Sequence, residues 1–349
     1  HFGSRPFRLE LVVAPRGRAL AVLRDAARSG HSPRGPPQRP IVPAPPRHRG
    51  ASAMSFLSEL TSATSVGWSE DIGLRDEMED GFVYVDAFGD KRHDAFFGIY
   101  DGHGGRQCVD YIMTALHESL IREMQEALQG GGDLITCISG ALVAAFRGTD
   151  ERMYQSGITM SGCTACTCLL YEDLQRGSRI LFTAHLGDAR AVLCRNGGAM
   201  RLTSLSDHKA TDGEEMLRVQ RAGGVIMNDR VNGMLAISRA FGDHQLKAPN
   251  QHQDIVSNEP SVSYIDLTSE DNFLIVACDG LWDVLSDQEA VTVAMACVRA
   301  WTSLAVPQGG QDDALSRRKL GALCARCLVE EALARRTSDN VSCLVCFPH

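Results

Sequence analysis

An α+β sandwich is the fold class this chain predicts, and three observations lead to it. Short apolar runs end at Asp or Asp-Gly, hairpin signals separate several of them, and apolar residues recur at helical spacing in long blocks between. Residues 94–100 (DAFFGIY) read as a buried strand that delivers Asp101 at its end. Next, Val109, Ile112, Met113, Leu116, Leu120 and Met124 have the spacing of an amphipathic helix, stopped by Gly130, Gly131 and Gly132. Residues 179–195 read as two strands joined at Gly187-Asp188, and Asn196-Gly197 offers a further hairpin turn, so an antiparallel meander is expected there. Residues 272–278 form a second apolar run into Asp-Gly, and Ser286 with Glu289 makes a capping box for a helix through Val298. A long helix over 313–335 and a last strand over 341–347 close the pattern. Hairpin-like strands with grouped helices favour a sandwich over a doubly wound parallel sheet.

With 349 residues, 44% of them hydrophobic, the chain can bury one large core or two smaller ones. Its formal charge of −8 is unevenly spread: ten Arg precede Met54 against Glu10 and Asp25, leaving about −16 for the remainder. An acidic body argues against phosphate-backbone binding, so no nucleic-acid partner is expected; a cation-dependent site suits it better. Residues 1–53, rich in Arg, Pro and Gly, are set apart as a disordered extension. Their composition resembles a mitochondrial transit peptide, and sequence ahead of a start at Met54 is the competing reading. All 12 Cys follow Met54, and without a readable secretory signal they are expected to be thiols of an intracellular protein of cytoplasm or nucleus. No apolar run reaches the length of a membrane span, and no heptad pattern argues against a monomer.

Four acidic clusters carry the chemistry: Glu79-Asp80, Asp101-Gly102-His103, Asp279-Gly280 with Asp283, and Asp339-Asn340. Three adjoin predicted apolar strands, whose ends can converge at one rim of a sheet. Oxygen donors without a matching Cys or His set select hard cations, Mg²⁺ or Mn²⁺, over zinc. A lone Asp-Gly is usually a turn. Several acids gathered at strand ends are another matter, because like charges are costly unless cations neutralise them. Glycine at 102 also lets the backbone approach closely enough for its own carbonyl to become a ligand.

Eight motifs stand in order: Arg75-Asp76-Glu77-Met78-Glu79-Asp80, Tyr100-Asp101-Gly102-His103-Gly104-Gly105, Ser161-Gly162-Cys163-Thr164-Ala165, Gly187-Asp188-Ala189-Arg190, Arg230-Val231-Asn232-Gly233, residues 235–243 (LAISRAFGD), Cys278-Asp279-Gly280-Leu281-Trp282-Asp283 and Ser338-Asp339-Asn340. Together they resemble the motifs of the PP2C phosphatases. The resemblance spans about residues 66–347 and implies a four-layer α-β-β-α sandwich, two packed antiparallel sheets flanked by helices, with a dimetal centre at one rim. The domain would cover residues 54–349 and hydrolyse phosphoserine and phosphothreonine in protein substrates with a metal-activated water. Asp101 would bridge two metals, the Gly102 carbonyl, Asp279 and Asp339 would complete the ligands, and Glu79 and Asp80 would act in or just outside that set. Asp188 and Asp283 would add, with Asp279, a weaker third site. Arg75 would grip phosphate with its planar fork of donors, and His103 would protonate the departing oxygen.

Residues 207–233 would form a flap, its helix ended by Gly223-Gly224. Two positions depart from the family pattern: Cys163 stands for the usual Ser and Ala210 for the usual Pro, which touches the substrate loop near Lys209 rather than the hydrolytic groups. Asp243 is read as structural, and Asp188 has the competing reading of a hairpin turn residue.

Two other functions compete. A pseudophosphatase that binds phosphoproteins without turnover is expected to lack a metal carboxylate or the phosphate-binding Arg, yet Arg75, Asp101, Asp279 and Asp339 are all present. A zinc module would use the C-x-x-C pairs Cys163/Cys166, Cys324/Cys327 and Cys343/Cys346. Residues three apart in a strand face opposite sides, so Cys343 and Cys346 are expected to be separate buried thiols; Cys324 and Cys327 share the apolar face of a helix.

Overall fold

The computed structural model describes residues 64–204, 207–247, 255–305 and 314–348; the readings of residues 1–53 lie outside them. Period-two alternation builds the first sheet. In β3 (Ala95–Tyr100), Phe96 and Tyr100 enter one core while Ala95, Phe97 and Ile99 enter another. In β6 (Ala165–Asp173), Ala165, Leu169 and Tyr171 take the first side and Cys166, Cys168 and Leu170 the second. Strands apolar on both faces need cover on both. With β2 (Gly81–Asp86), β7 (Ser178–Leu186) and β13 (Ser261–Asp266) they make an antiparallel sheet in the order β13-β7-β6-β3-β2. The second antiparallel sheet joins β1 (Ser65–Asp71), β15 (Val341–Phe347), β14 (Asp271–Ala277), β8 (Arg190–Arg195) and β9 (Gly198–Arg201), in that order.

Helices cover the outer faces. On the first sheet lie α1 (Gln107–Gln129), whose six periodic apolar residues are all buried as the spacing predicts, and α2 (Leu134–Gln155). No sequence signal above announces α2, because Gly140, Gly148 and several polar residues dilute its apolar stripe. Its start is fixed locally: Asp133 caps it, accepting from the Thr136 N–H at 2.9 Å. On the second sheet lie α5 (Asp287–Ala305) and α6 (Ala314–Ala334). The predicted capping box opens α5, with Ser286 N–H donating to Glu289 at 2.9 Å and Glu289 N–H to Ser286 Oγ at 3.3 Å. Between the sheets, Phe97, Ile99, Leu170 and Leu181 meet Leu193, Leu274, Val276 and Leu344. The architecture is therefore an α+β helix-sheet-sheet-helix sandwich.

One expected connection is different. The strands on either side of Gly187-Asp188 exist, but β7 belongs to the first sheet and β8 to the second. Gly187-Asp188 is a crossover between layers, not a hairpin turn, and local turn chemistry cannot distinguish the two. Asn196-Gly197 does join β8 to β9 as a hairpin, both residues having positive φ, 52° and 76°.

Two smaller units complete the chain. The proposed flap holds α3 (Gly213–Arg221), capped by Asp212 and followed by Gly223 at φ 87°, then the hairpin of β10 (Ile226–Met227) and β11 (Arg230–Val231). A three-stranded piece, β4 (Gly102–His103), β5 (Gly162–Cys163) and β12 (Phe241–Gly242), places β5 in the middle. The cysteine pairs separate as strand geometry requires: Cys343 enters the α5/α6 core and Cys346 the inter-sheet core, and Cys163 and Cys166 also enter different cores. Neither pair can turn two thiols toward one ion. On α6 Cys324 is buried and Cys327 half-buried, and all twelve cysteines are free thiols.

Candidate active site

Three of the predicted carboxylates meet. Asp101 follows β3, Asp188 lies in the crossover after β7, and Asp279 opens the short helix α4 (Asp279–Trp282) beyond β14. One carboxylate oxygen of each lies within 4.8 Å of the others. Both sheets thus feed a single cluster. Close backbone approach makes this possible: a Cβ added at Gly280 would overlap the Asn340 carbonyl oxygen, so the turns carrying Asp279 and Asp339 touch main chain to main chain. Gly102 is similarly confined, a Cβ there meeting Val109 at 2.8 Å.

The electrostatics of the cluster are unfavourable for protein alone. Burial pushes the Asp101 carboxyl well above the usual carboxylate range, and the charges of Asp80, Asp279, Asp188 and Asp339 push it further. Asp279 is raised to about 8 by burial first, then by Asp188, Asp283 and Asp339. Asp188 is raised by burial, with Lys209 pulling the other way, and Asp80 is raised to about 6, mainly by burial.

The donor set fits hard divalent cations: clustered carboxylate oxygens, no thiol or imidazole among the three, and a hydroxyl to spare. Thr164 Oγ1 is buried without a hydrogen-bond partner, although Thr164 N–H donates to the Asp101 carbonyl at 2.9 Å and its side chain packs against Gly187. Asp80 Oδ2 is buried without a partner as well, and its charge is one of those that raise Asp101, so the cluster's surroundings hold unpaired oxygens that hydrated ions would satisfy.

The other predicted residues sit around this cluster in different states. Asp339 Oδ2 pairs with Arg75 Nη2 at 2.6 Å, and Arg75 Nε also reaches the Ser338 carbonyl at 3.3 Å. Glu79 accepts from the Gly105 N–H at 2.6 Å, which orders the Gly-rich turn after His103. Asp283 is the most exposed, its side chain 59% accessible, and Lys209 Nζ lies 3.5 Å from it and 3.6 Å from Asp188. The weaker-site pair therefore splits, Asp188 joining the cluster and Asp283 standing at its edge. Asn340 ties the Arg75 loop to β15: its amide donates to the carbonyls of Ile72 at 2.8 Å and Glu77 at 3.1 Å, and its oxygen accepts from Glu79 N–H at 2.9 Å.

Two residues enter that sequence reasoning passed over. Lys209 is one, brought between Asp188 and Asp283 by the flap. The other is Asp243, read as structural, whose Oδ2 lies 2.8 Å from His103 Nε2. They are 140 positions apart, and no local pattern links them.

A two-sheet sandwich that gathers carboxylates from both sheets beside Lys209 defines a class of proteins able to hold hydrated divalent cations. Comparison makes this specific. The family model described as protein phosphatase 2C matches residues 65–341. Protein phosphatase 2C homolog 1 of Saccharomyces cerevisiae is 34% identical over 304 residues, covering 83% of this chain and 94% of that protein. The homolog 1 protein of Schizosaccharomyces pombe is 35% identical, covering 85% and 74%. A solved C. elegans sex determining protein superposes with a TM-score of 0.66 at 25% identity, covering 83% of this chain and 66% of that one. A Toxoplasma gondii serine-threonine phosphatase 2C gives 0.62 at 23% identity, a likeness of fold. This chain belongs to the protein phosphatase 2C family: it is a metal-dependent phosphoprotein phosphatase, a phosphoric monoester hydrolase. Among the described residues no helix is long and apolar enough to cross a membrane.

Proposed function

We propose that this chain removes phosphate from phosphoserine and phosphothreonine of protein substrates with water activated by two Mg²⁺ or Mn²⁺ ions. The observation that carries the reading is the cluster of Asp101, Asp188 and Asp279, three carboxylates largely withdrawn from water with an oxygen of each within 4.8 Å of the others and Lys209 as the cation at their edge. Bound there, the cations supply Lewis-acid chemistry that lowers the pKa of water and screens phosphate charge. Asp101, Asp279, Asp339 and the Gly102 carbonyl hold them, with Glu79 and Asp80 in or beside that set; Asp188 and Asp283 serve a weaker third ion. Arg75, 53% exposed at the mouth of the site, binds the nonbridging phosphate oxygens through two parallel N–H donors. His103 gives its proton to the departing Ser or Thr oxygen. The catalytic unit is one domain over residues 54–349 with a flap at 207–233, acting as a monomer inside the cell, a compartment its twelve free thiols support.

The test is phosphate release from a phosphothreonine peptide by the purified chain with Mn²⁺, with Mg²⁺ and with EDTA, beside Asp279→Asn. Release that needs metal and falls at least about a thousandfold in the variant is expected. Folded protein that binds phosphopeptide but releases nothing under either metal would instead establish a pseudophosphatase.

A further inference from the structure

The three-stranded piece beside the carboxylates brings His103 and Asp243 together from opposite sides of Gly162. In β4, His103 stands opposite Gly162, and in β12, Gly242 stands opposite the same residue. A side chain at 162 would fill the space where the pair meets: a Cβ there would overlap the Asp243 carboxylate and lie 2.5 Å from His103 Nε2. The carboxylate is shut away, 4% exposed, while the imidazole is 31% exposed. One partner therefore faces the interior and the other can reach a substrate.

Asp243 is held firmly for a loop residue. It adopts a left-handed conformation, φ 50°, that Asp tolerates better than most residues, and its N–H donates to the Ser161 carbonyl at 3.2 Å. The preceding Gly242 N–H donates to the buried carboxylate of Asp150 at 2.8 Å, and Lys247 locks the same carboxylate at 2.8 Å. This anchoring is more than a turn requires.

We propose that Asp243 is the positioning residue for His103. By accepting from Nε2–H it fixes the plane of the ring and leaves Nδ1 as the nitrogen that exchanges a proton with the leaving oxygen. The proposal rests on the general-acid role given to His103 above. In the step itself the P–O bond to the substrate breaks, the proton on Nδ1 goes to the departing alkoxide, and the Nε2–H bond to Asp243 stays in place throughout.

The experiment compares wild type, His103→Gln, Asp243→Asn and the double variant, each Mn²⁺-loaded, on a phosphothreonine peptide and on p-nitrophenyl phosphate. The nitrophenolate leaves without a proton, so it is blind to a general acid. Asn keeps the left-handed backbone but can present its amide NH₂ to Nε2 and so select the wrong tautomer. For Asp243→Asn, kcat on the peptide is expected to fall about a hundredfold with KM unchanged. Its rate on p-nitrophenyl phosphate should stay within about twofold, and the double variant should be no slower than His103→Gln. Equal losses on both substrates, or additive losses in the double variant, would overturn the proposal and leave Asp243 a structural residue. An impaired His103→Gln beside an unimpaired Asp243→Asn would overturn it alone; an unimpaired His103→Gln would remove the general-acid role and the proposal together. Nitrogen-15 NMR of the Mg²⁺-loaded wild type needs no variant: in its neutral form His103 should keep its proton on Nε2, and a neutral ring protonated on Nδ1 alone would contradict the assignment.

Discussion

Asp150 and the Asp101/Asp188/Asp279 cluster are all carboxylates withdrawn from water, yet their surroundings are opposite. Asp150, 2% exposed, meets Lys247 Nζ at 2.8 Å, Gly242 N–H at 2.8 Å and Asn258 Nδ2 at 2.9 Å. Its charge is answered by its own chain, and it holds β12 and the loop after it against α2. The cluster is answered chiefly by more negative charge, with Lys209 at its edge. Buried acids that the fold completes are structural, and buried acids that the fold leaves in excess belong to whatever arrives from solution.

The largest effect expected from breaking this contrast is at the completed site. Asp150→Ala strands a buried Lys247 ammonium and should destabilise the chain by about 3–5 kcal/mol in urea unfolding; a loss near zero would show that the pair is not a structural anchor. Asp279→Asn should act in the opposite direction in metal-free protein. The folded pKa of Asp279, about 8, lies above the ordinary 3.8, so its ionisation costs stability that is lost as pH rises through that window. At neutral pH in EDTA the amide is expected to add about 2 kcal/mol, and the order should reverse in Mn²⁺, which stabilises the wild type.

Neutral buried groups sharpen the comparison with an effect that is nil at neutral pH and grows only in acid. His185 and His208 stack at 4.4 Å with planes 1° apart; His208 Nδ1 accepts from Gly187 N–H at 3.2 Å, and its Nε2 pairs with Ser261 Oγ at 2.8 Å. Burial lowers His208 from 6.5 to about 3, with the Arg239 charge adding. Below pH 6.5 the unfolded chain binds a proton the folded chain refuses, so stability is full above 6.5 and falls as pH drops toward 3. The slope should be about 1.4 kcal/mol per pH unit for this group, and His208→Asn should flatten it; an unchanged slope would place the proton elsewhere.

Legibility followed sequence distance. Asp101 and Asp279 were readable because each follows an apolar strand, and period two fixes which way Cys343 and Cys346 point. The capping box of α5 lies within four residues and was readable too. Gly187-Asp188 was not, since a turn's composition does not say whether the next strand pairs with the last or crosses to another layer. Neither was α2, whose apolar face is diluted by glycine and polar residues, nor the His103–Asp243 and Arg75–Asp339 pairs, which only tertiary packing creates.

The contact between Gly280 and the Asn340 carbonyl makes one hinge-free joint of two turns sixty positions apart. A single added methyl at 280 acts as a wedge there. It would lever the Asn340 amide off the Ile72 and Glu77 carbonyls and so loosen the loop that presents Arg75. In a substitution scan, position 280 would then score with Arg75, and its tolerance would measure the rigidity of the rim rather than its chemistry.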